Sequence, residues 1–168
     1  MSKIADWLIA RAQRTPYWHL ESYMQRFWLV PYSHKGSESE AGCGVVSWWR
    51  RPIARVLQAF GVAVRVHQIL RSDHGREPHD HPWPYLTCIL RGGYREERYN
   101  DLGDLVSAKW HGPGSIVYRP ANSWHRLQVP AGQTAWTLFI TGPKRQTWGF
   151  AVDGKKVPYR EYFGRGDQ

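Results

Sequence analysis

Two histidines one residue apart, in His79-Asp80-His81, are the first residues of this chain whose type and spacing suit chemistry. In an extended segment residues i and i+2 project from the same face, so both imidazoles can converge on one cation. The surrounding Glu77, Pro78 and Pro82 fit a plain polar loop as well. Isolated histidines such as His19, His34 and His111 read as surface or hydrogen-bonded polar residues. What the pair can do depends on the elements that hold it.

Those elements are mainly strands. From Gly61 onward, short runs of β-branched and aromatic residues are separated by Gly, Pro, Asn and Asp. The runs are Val62 to Leu70, Tyr85 to Arg91, Tyr94 to Asn100, Ser115 to Arg119, Arg126 to Val129 and Trp136 to Thr141. Their spacing, without long helices between them, predicts an all-β antiparallel sandwich or barrel. Gly92-Gly93 reads as a two-residue hairpin turn. Ahead of the strands, Ile4, Trp7, Leu8 and Ala12 have helical spacing, with Ser2 as N-cap and Thr15-Pro16 as a stop. A second helix is expected through Glu21 to Arg26, and the Gly/Ser-rich stretch 33–44 reads as an exposed loop. The expected division is a helical or irregular extension over 1–60, packed on a barrel with a C-terminal tail over 61–168.

With 168 residues and 19.6 kDa the chain suits one compact domain. A chain of this size buries roughly 70% of its unfolded surface, so folding needs neither disulfide nor metal. Its 42% hydrophobic and 22% charged residues exclude a disordered or collagen-like chain. Ten tryptophans and a net charge of +9 raise single-stranded nucleic acid as a partner class. The 17 arginines and six lysines, however, are spread over strands and loops instead of forming a block, so nucleic acid is not the expected partner. Cys43 and Cys88 lie far apart, the N-terminus lacks a secretory pattern, and no run is long enough to span a bilayer. A cytoplasmic protein off the membrane is expected.

Further spacings single out His125. Three residues separate His81 from Tyr85 and six more lead to Gly92; downstream, Gly114 is followed by five residues, Pro120-Ala121-Asn122, two residues and His125. This arrangement resembles the two motifs of the cupin superfamily, the RmlC-like jelly rolls, over Val62 to Thr141. The phrases HDHPW (79–83), ILRGGY (89–94) and TGPKRQTWGF (141–150) are similar to an uncharacterised cupin branch of phage and bacterial genomes. The resemblance implies a double-stranded β-helix barrel with a metal site at His79, His81 and His125. The glutamate ligand of the first motif falls on Tyr85 or Leu86, Asn122 stands for the glycine of the second, and Val129 for its closing asparagine. The implied ligands are thus three neutral imidazoles, which resembles the cysteine dioxygenase type of cupin. A divalent ion is implied, iron(II) first, with zinc, nickel, copper or manganese open. The implied activity is oxygenation of a small polar substrate. Two other readings stay open: a non-catalytic cupin binding a ligand or partner, and a sugar isomerase or epimerase using His81 with Tyr85 or Tyr118 as base and acid. Cupins commonly pair through sheet edges, which implies a homodimer.

Register assigns the remaining candidates. A tight turn at Gly92-Gly93 would pair Ile89 with Glu96 and Thr87 with Arg98. If Tyr85 faces inward from the ligand position, so do Thr87, Ile89, Glu96 and Arg98, while Arg95, Glu97 and Tyr99 face out. Arg98 would then anchor a substrate carboxylate, with Glu96 as base, or the two would form an internal salt bridge. Tyr85 and Glu96 are the catalytic candidates; Arg98, Tyr118 and Trp83 are the substrate-binding candidates. Tyr85, Trp83, Tyr118 and Trp124 also suit core packing around the histidines. Arg65 and His67 share a face of their strand, and the sequence leaves open which.

Overall fold

The computed structural model describes residues 2–20, 22–30, 51–73 and 77–164. The stretch 33–44, with His34 and Cys43, lies outside them, as does Trp48-Trp49. The N-terminal helix expected from Ile4, Trp7, Leu8 and Ala12 is present as α1 (Lys3–Ala12). It leads into β1 (Pro16–Leu20) and β2 (Met24–Val30), and α2 (Arg51–Ala59) precedes β3 (Ala63–Ile69). There follow β4 (Tyr85–Arg91), β5 (Tyr94–Tyr99), β6 (Leu105–His111), β7 (Ile116–Arg119), β8 (Trp124–Gln128) and β9 (Ala135–Thr141). A small ribbon, β10 (Gly149–Val152) and β11 (Lys155–Pro158), runs into α3 (Tyr159–Gly164).

Two antiparallel sheets make the barrel walls. The larger has six strands in the order β1-β2-β3-β9-β4-β7, and the smaller has the order β6-β5-β8. Alternation places odd-numbered residues of β3, β4 and β9 on the inner face of the large sheet. There Ile69, Ile89 and Ala135 meet Tyr94 and Leu127 of the small sheet, with Tyr23 and Val129 closing the cluster. Even-numbered residues face the other way. Val66 and Trp136 join Phe27 in a second cluster beneath Ile9 and Ala12 of α1, and beyond a register shift after Ile89 the Arg91 side chain also turns to this face and reaches Asp6 of the same helix. The two clusters cover part of each face of the large sheet.

Two expectations fail. Residues 24–30 form a strand where a helix through Glu21 to Arg26 was expected, because Phe27 and Trp28 bury themselves by pairing β2 with β3 opposite Val66 and Arg65. Pairing of this kind overrides local propensity. The hairpin at Gly92-Gly93 is also not a ladder: β4 pairs with β9 and β7, whereas β5 pairs with β6 and β8. The two glycines turn a corner between sheets. Gly92 has φ +71°, and a Cβ there would overlap the Thr134 carbonyl oxygen. Ile89 thus faces Thr137 across the ladder, and Glu96 faces Leu127 and Lys109. Among the described residues, no helix is long and apolar enough to cross a membrane.

Candidate functional site

The HxH segment is not a regular strand; its backbone is tied down from both sides. His79 N–H donates to the His125 carbonyl at 3.0 Å and the reverse bond is also 3.0 Å, so the two motifs meet directly. The intervening Asp80 points away from the histidines and is almost fully buried. Its carboxylate accepts from Gly149 N–H at 2.8 Å, from Gln146 Nε2 at 2.7 Å and from Lys156. Burial pushes the Asp80 carboxyl above its usual range, against the pull of these three donors. Asp80 is the clamp that holds both imidazoles on the opposite face.

The three histidines converge as the spacing implied. Their nearest ring nitrogens lie within 4.8 Å of one another, and His81 Nε2 is 3.0 Å from His125 Nε2. Carboxylates back two of them. Glu96 Oε1 sits 3.1 Å from His125 Nδ1, and Asp73 Oδ2 lies 3.9 Å from His79 Nδ1. An imidazole that donates Nδ1–H to Glu96 turns a bare Nε2 toward His81. Burial, reinforced by the other two histidines, holds the His81 pKa well below the usual imidazole range, so this ring is neutral at physiological pH. Two lone pairs 3.0 Å apart require a proton or a cation between them. Two nitrogens bound at right angles to one ion at ~2.1 Å would stand about 3.0 Å apart, so the His81 and His125 pair fits a divalent metal, and a His79 nitrogen lies within 4.8 Å of both.

Glu96 faces inward, as expected, and is 3% exposed. Its partner is not Arg98. Arg119 Nε donates to Glu96 Oε1 at 3.0 Å, a second guanidinium nitrogen reaches Oε2, and His111 Nε2 lies 3.2 Å from Oε2. Burial alone would raise the Glu96 pKa, but its hydrogen bonds with His125 and Arg119 outweigh burial and lower it. Tyr85 is buried, with its hydroxyl 3.3 Å from His125 Nδ1. Burial, then the Glu96 charge, raise its pKa well above the usual phenol range, so it remains a neutral donor.

The histidines open onto a cavity of about 240 Å³. Trp83 and Tyr85 line it, as do Arg26 from β2, Arg65 and His67 from β3, Phe139 from β9 and Trp148. Arg98 shares the inward face with His125, its direct partner across the ladder, but is not among the lining residues. Tyr118 is 59% exposed on β7 and lies outside the cavity. Glu97, expected to face solvent, is covered by Arg126, Gln128 and Tyr99. Sequence reasoning missed Asp73, Asp80, Arg26 and Tyr17. The i, i+2 pair Arg65 and His67 was visible, and only the direction of its strand was lacking.

No family model matches the chain, and no curated protein sequence does. Solved structures do. The polyketide cyclase RemF from Streptomyces resistomycificus superposes with TM-score 0.55 at 12% identity, covering 92% of this chain and 89% of RemF. Oxalate decarboxylase from Bacillus subtilis gives 0.53 at 14% identity, over 91% of this chain. Vicilin from Capsicum annuum gives 0.51 at 16% identity, over 82% of it. The fold is a cupin barrel. The chain spans only 32% of that oxalate decarboxylase and 33% of vicilin, whereas it spans nearly all of RemF. These neighbours include a polyketide cyclase, an oxalate decarboxylase and a vicilin, so they carry the architecture and leave the chemistry to the site.

Proposed function

We propose that this chain is a metal-dependent small-molecule cupin enzyme, an iron(II) dioxygenase-like protein acting on a small polar substrate. The observation that carries the reading is the convergence of His79, His81 and His125 on the wall of a cavity. Three neutral imidazoles would hold the ion, and an iron(II) ion so held would supply open positions for substrate and dioxygen. The other groups are assigned by what they touch. Glu96 fixes the tautomer and direction of His125; Tyr85 offers a neutral hydroxyl beside the same ring; Trp83, Phe139 and Trp148 keep water from the cavity. Zinc, nickel or manganese would suit the same ligands. A homodimer paired through sheet edges, in the cytoplasm, completes the proposal.

The test is metal analysis of protein purified without a histidine tag, followed by oxygen consumption with small thiols and amino acids. Bound iron with substrate-dependent oxygen uptake is expected. Folded protein that neither contains nor takes up metal contradicts the reading. The Tyr85–His125 contact favours one second reading, an isomerase or epimerase in which imidazole and phenol act as base and acid. Turnover that survives chelation would select it.

A further inference from the structure

The helix α2 leaves its most apolar face in solvent. Ile53, Val56 and Phe60 recur at i, i+3 and i+7, which puts them on one side of a helix. They are 49%, 57% and 71% exposed. What α2 buries is a different side, Ala54, with Leu57 and Gln58 half-buried next to it. A surface helix of a globular protein does the reverse and turns its apolar stripe to the core. The C-terminal end of α2 is firmly closed. Gly61 N–H donates to the Gln58 carbonyl at 2.9 Å and Val62 N–H to the Leu57 carbonyl at 2.8 Å, with Gly61 at φ +66° against Pro143. The exposed stripe is thus carried at the root of β3 and not on a loose arm.

The charge around the stripe has one sign. From Ala41 to Ser72 the sequence holds five arginines, Arg50, Arg51, Arg55, Arg65 and Arg71, and neither aspartate nor glutamate. Arg51 and Arg55 stand one turn apart on α2, on the side roughly opposite the stripe. Both are exposed, and among the described residues neither forms an ion pair. A helix lying apolar side down on a surface is ~10–12 Å across, little more than the ~8 Å over which physiological salt screens charge. Arginines on its upper side still feel an anionic layer beneath, and their long stems let the guanidiniums reach it.

We propose that α2 is a membrane-surface helix, which seats Ile53, Val56 and Phe60 in an anionic lipid bilayer and holds Arg51 and Arg55 among the headgroups. A second copy docking α2 on α2 would bring arginine against arginine, since no acid stands in this stretch. A nucleic acid would satisfy the arginines and leave the three apolar side chains in water. An anionic bilayer offers an apolar phase and negative charge side by side. The contact is with the surface alone, because no described helix is long and apolar enough to cross a membrane. Nine residues with so short a stripe give a reversible attachment. This reading departs from the expectation, taken from the sequence, of a chain off the membrane.

Co-sedimentation of the full-length protein with vesicles tests the proposal, using phosphatidylglycerol and phosphatidylcholine in equal parts against phosphatidylcholine alone. Binding to the anionic vesicles is expected to be at least about tenfold tighter, since each arginine near such a surface contributes about fivefold. Substituting Val56→Ser and Phe60→Ser together should weaken it by about tenfold or more, and Arg51→Gln with Arg55→Gln by a similar factor. Leu102→Ser, which removes a side chain 81% exposed on another part of the chain, should change nothing. Wild-type protein that ignores anionic vesicles, or binds both kinds equally, overturns the proposal. Binding that survives the Val56 and Phe60 substitutions undiminished overturns it too, because the general basic charge would then suffice. Tighter binding of a mixed-sequence DNA duplex than of the anionic vesicles overturns the lipid assignment. None of the substituted residues touches the three histidines, so the outcome is independent of whether they hold a metal.

Discussion

His125 gathers most of the site's chemistry around one ring. Glu96 holds its Nδ1, Tyr85 lies against it, and its Nε2 faces His81. Glu96→Gln keeps the shape but weakens the acceptor that orients the ring, so metal affinity should fall by about 10–100-fold while the fold persists. Competition against a chromophoric chelator reads this directly; an unchanged affinity would mean that Glu96 serves the barrel alone. Tyr85→Phe removes no metal-facing nitrogen and should leave affinity within about threefold of wild type. The histidines were legible in the sequence because two spaced motifs placed them on known sides of one barrel. Asp73 and Asp80 were not, because a buried carboxylate that serves a neighbour leaves no periodic signal. Asp80 stands between the two histidines of the motif, yet its partners Gly149, Gln146 and Lys156 come from far along the chain.

The strands that carry the site were the legible elements, and the ones that cover it were not. β4 matches the expected run, and β3, β7, β8 and β9 differ from theirs by a few terminal residues. β6 escaped because most of its residues are exposed, which erases the alternation that marks a half-buried strand. The corner at Gly92 was misread as a hairpin, since glycine pairs signal a positive φ without saying what the chain does afterward. Gly92→Ala tests that corner. The Thr134 carbonyl must move and the φ of +71° disfavours a side chain, so a loss of ~2 kcal/mol or more is expected in urea unfolding, against little change for Gly103→Ala, where the space is open. The outer face of the small sheet carries a pH-dependent contribution. Burial would raise the Glu97 pKa, but its bonds with Arg126 and Tyr99 prevail and lower it. Its stabilisation is therefore present above the ordinary carboxylate range near pH ~4.3 and is lost as pH falls through the lower folded value. Glu97→Gln should cost ~1–2 kcal/mol at neutral pH, and the difference from wild type should shrink on acidification.

Among the described residues, part of the +9 charge and several of the ten tryptophans have local roles. Arg119 and Arg126 neutralise the two glutamates of β5, Arg91 ties β4 to α1, and Arg26 and Arg65 face the cavity. Trp83 and Trp148 are cavity walls, and Trp136 belongs to the core under α1. With these arginines so engaged, single-stranded DNA should show no salt-dependent retention at physiological ionic strength, as gel-shift titration would check. The barrel class was readable because its strands recur at short spacing around two motifs, whereas the enclosing role of β1 and β2 depends on pairing with β3 that no local pattern announces. The central claim is that this barrel holds a divalent ion on His79, His81 and His125. Elemental analysis of tag-free protein after dialysis against iron(II) under anaerobic conditions tests it most directly. The account predicts close to one ion per chain, lost in His81→Ala at unchanged secondary structure; folded wild-type protein that retains no ion, or a His81→Ala variant that retains it fully, would contradict it.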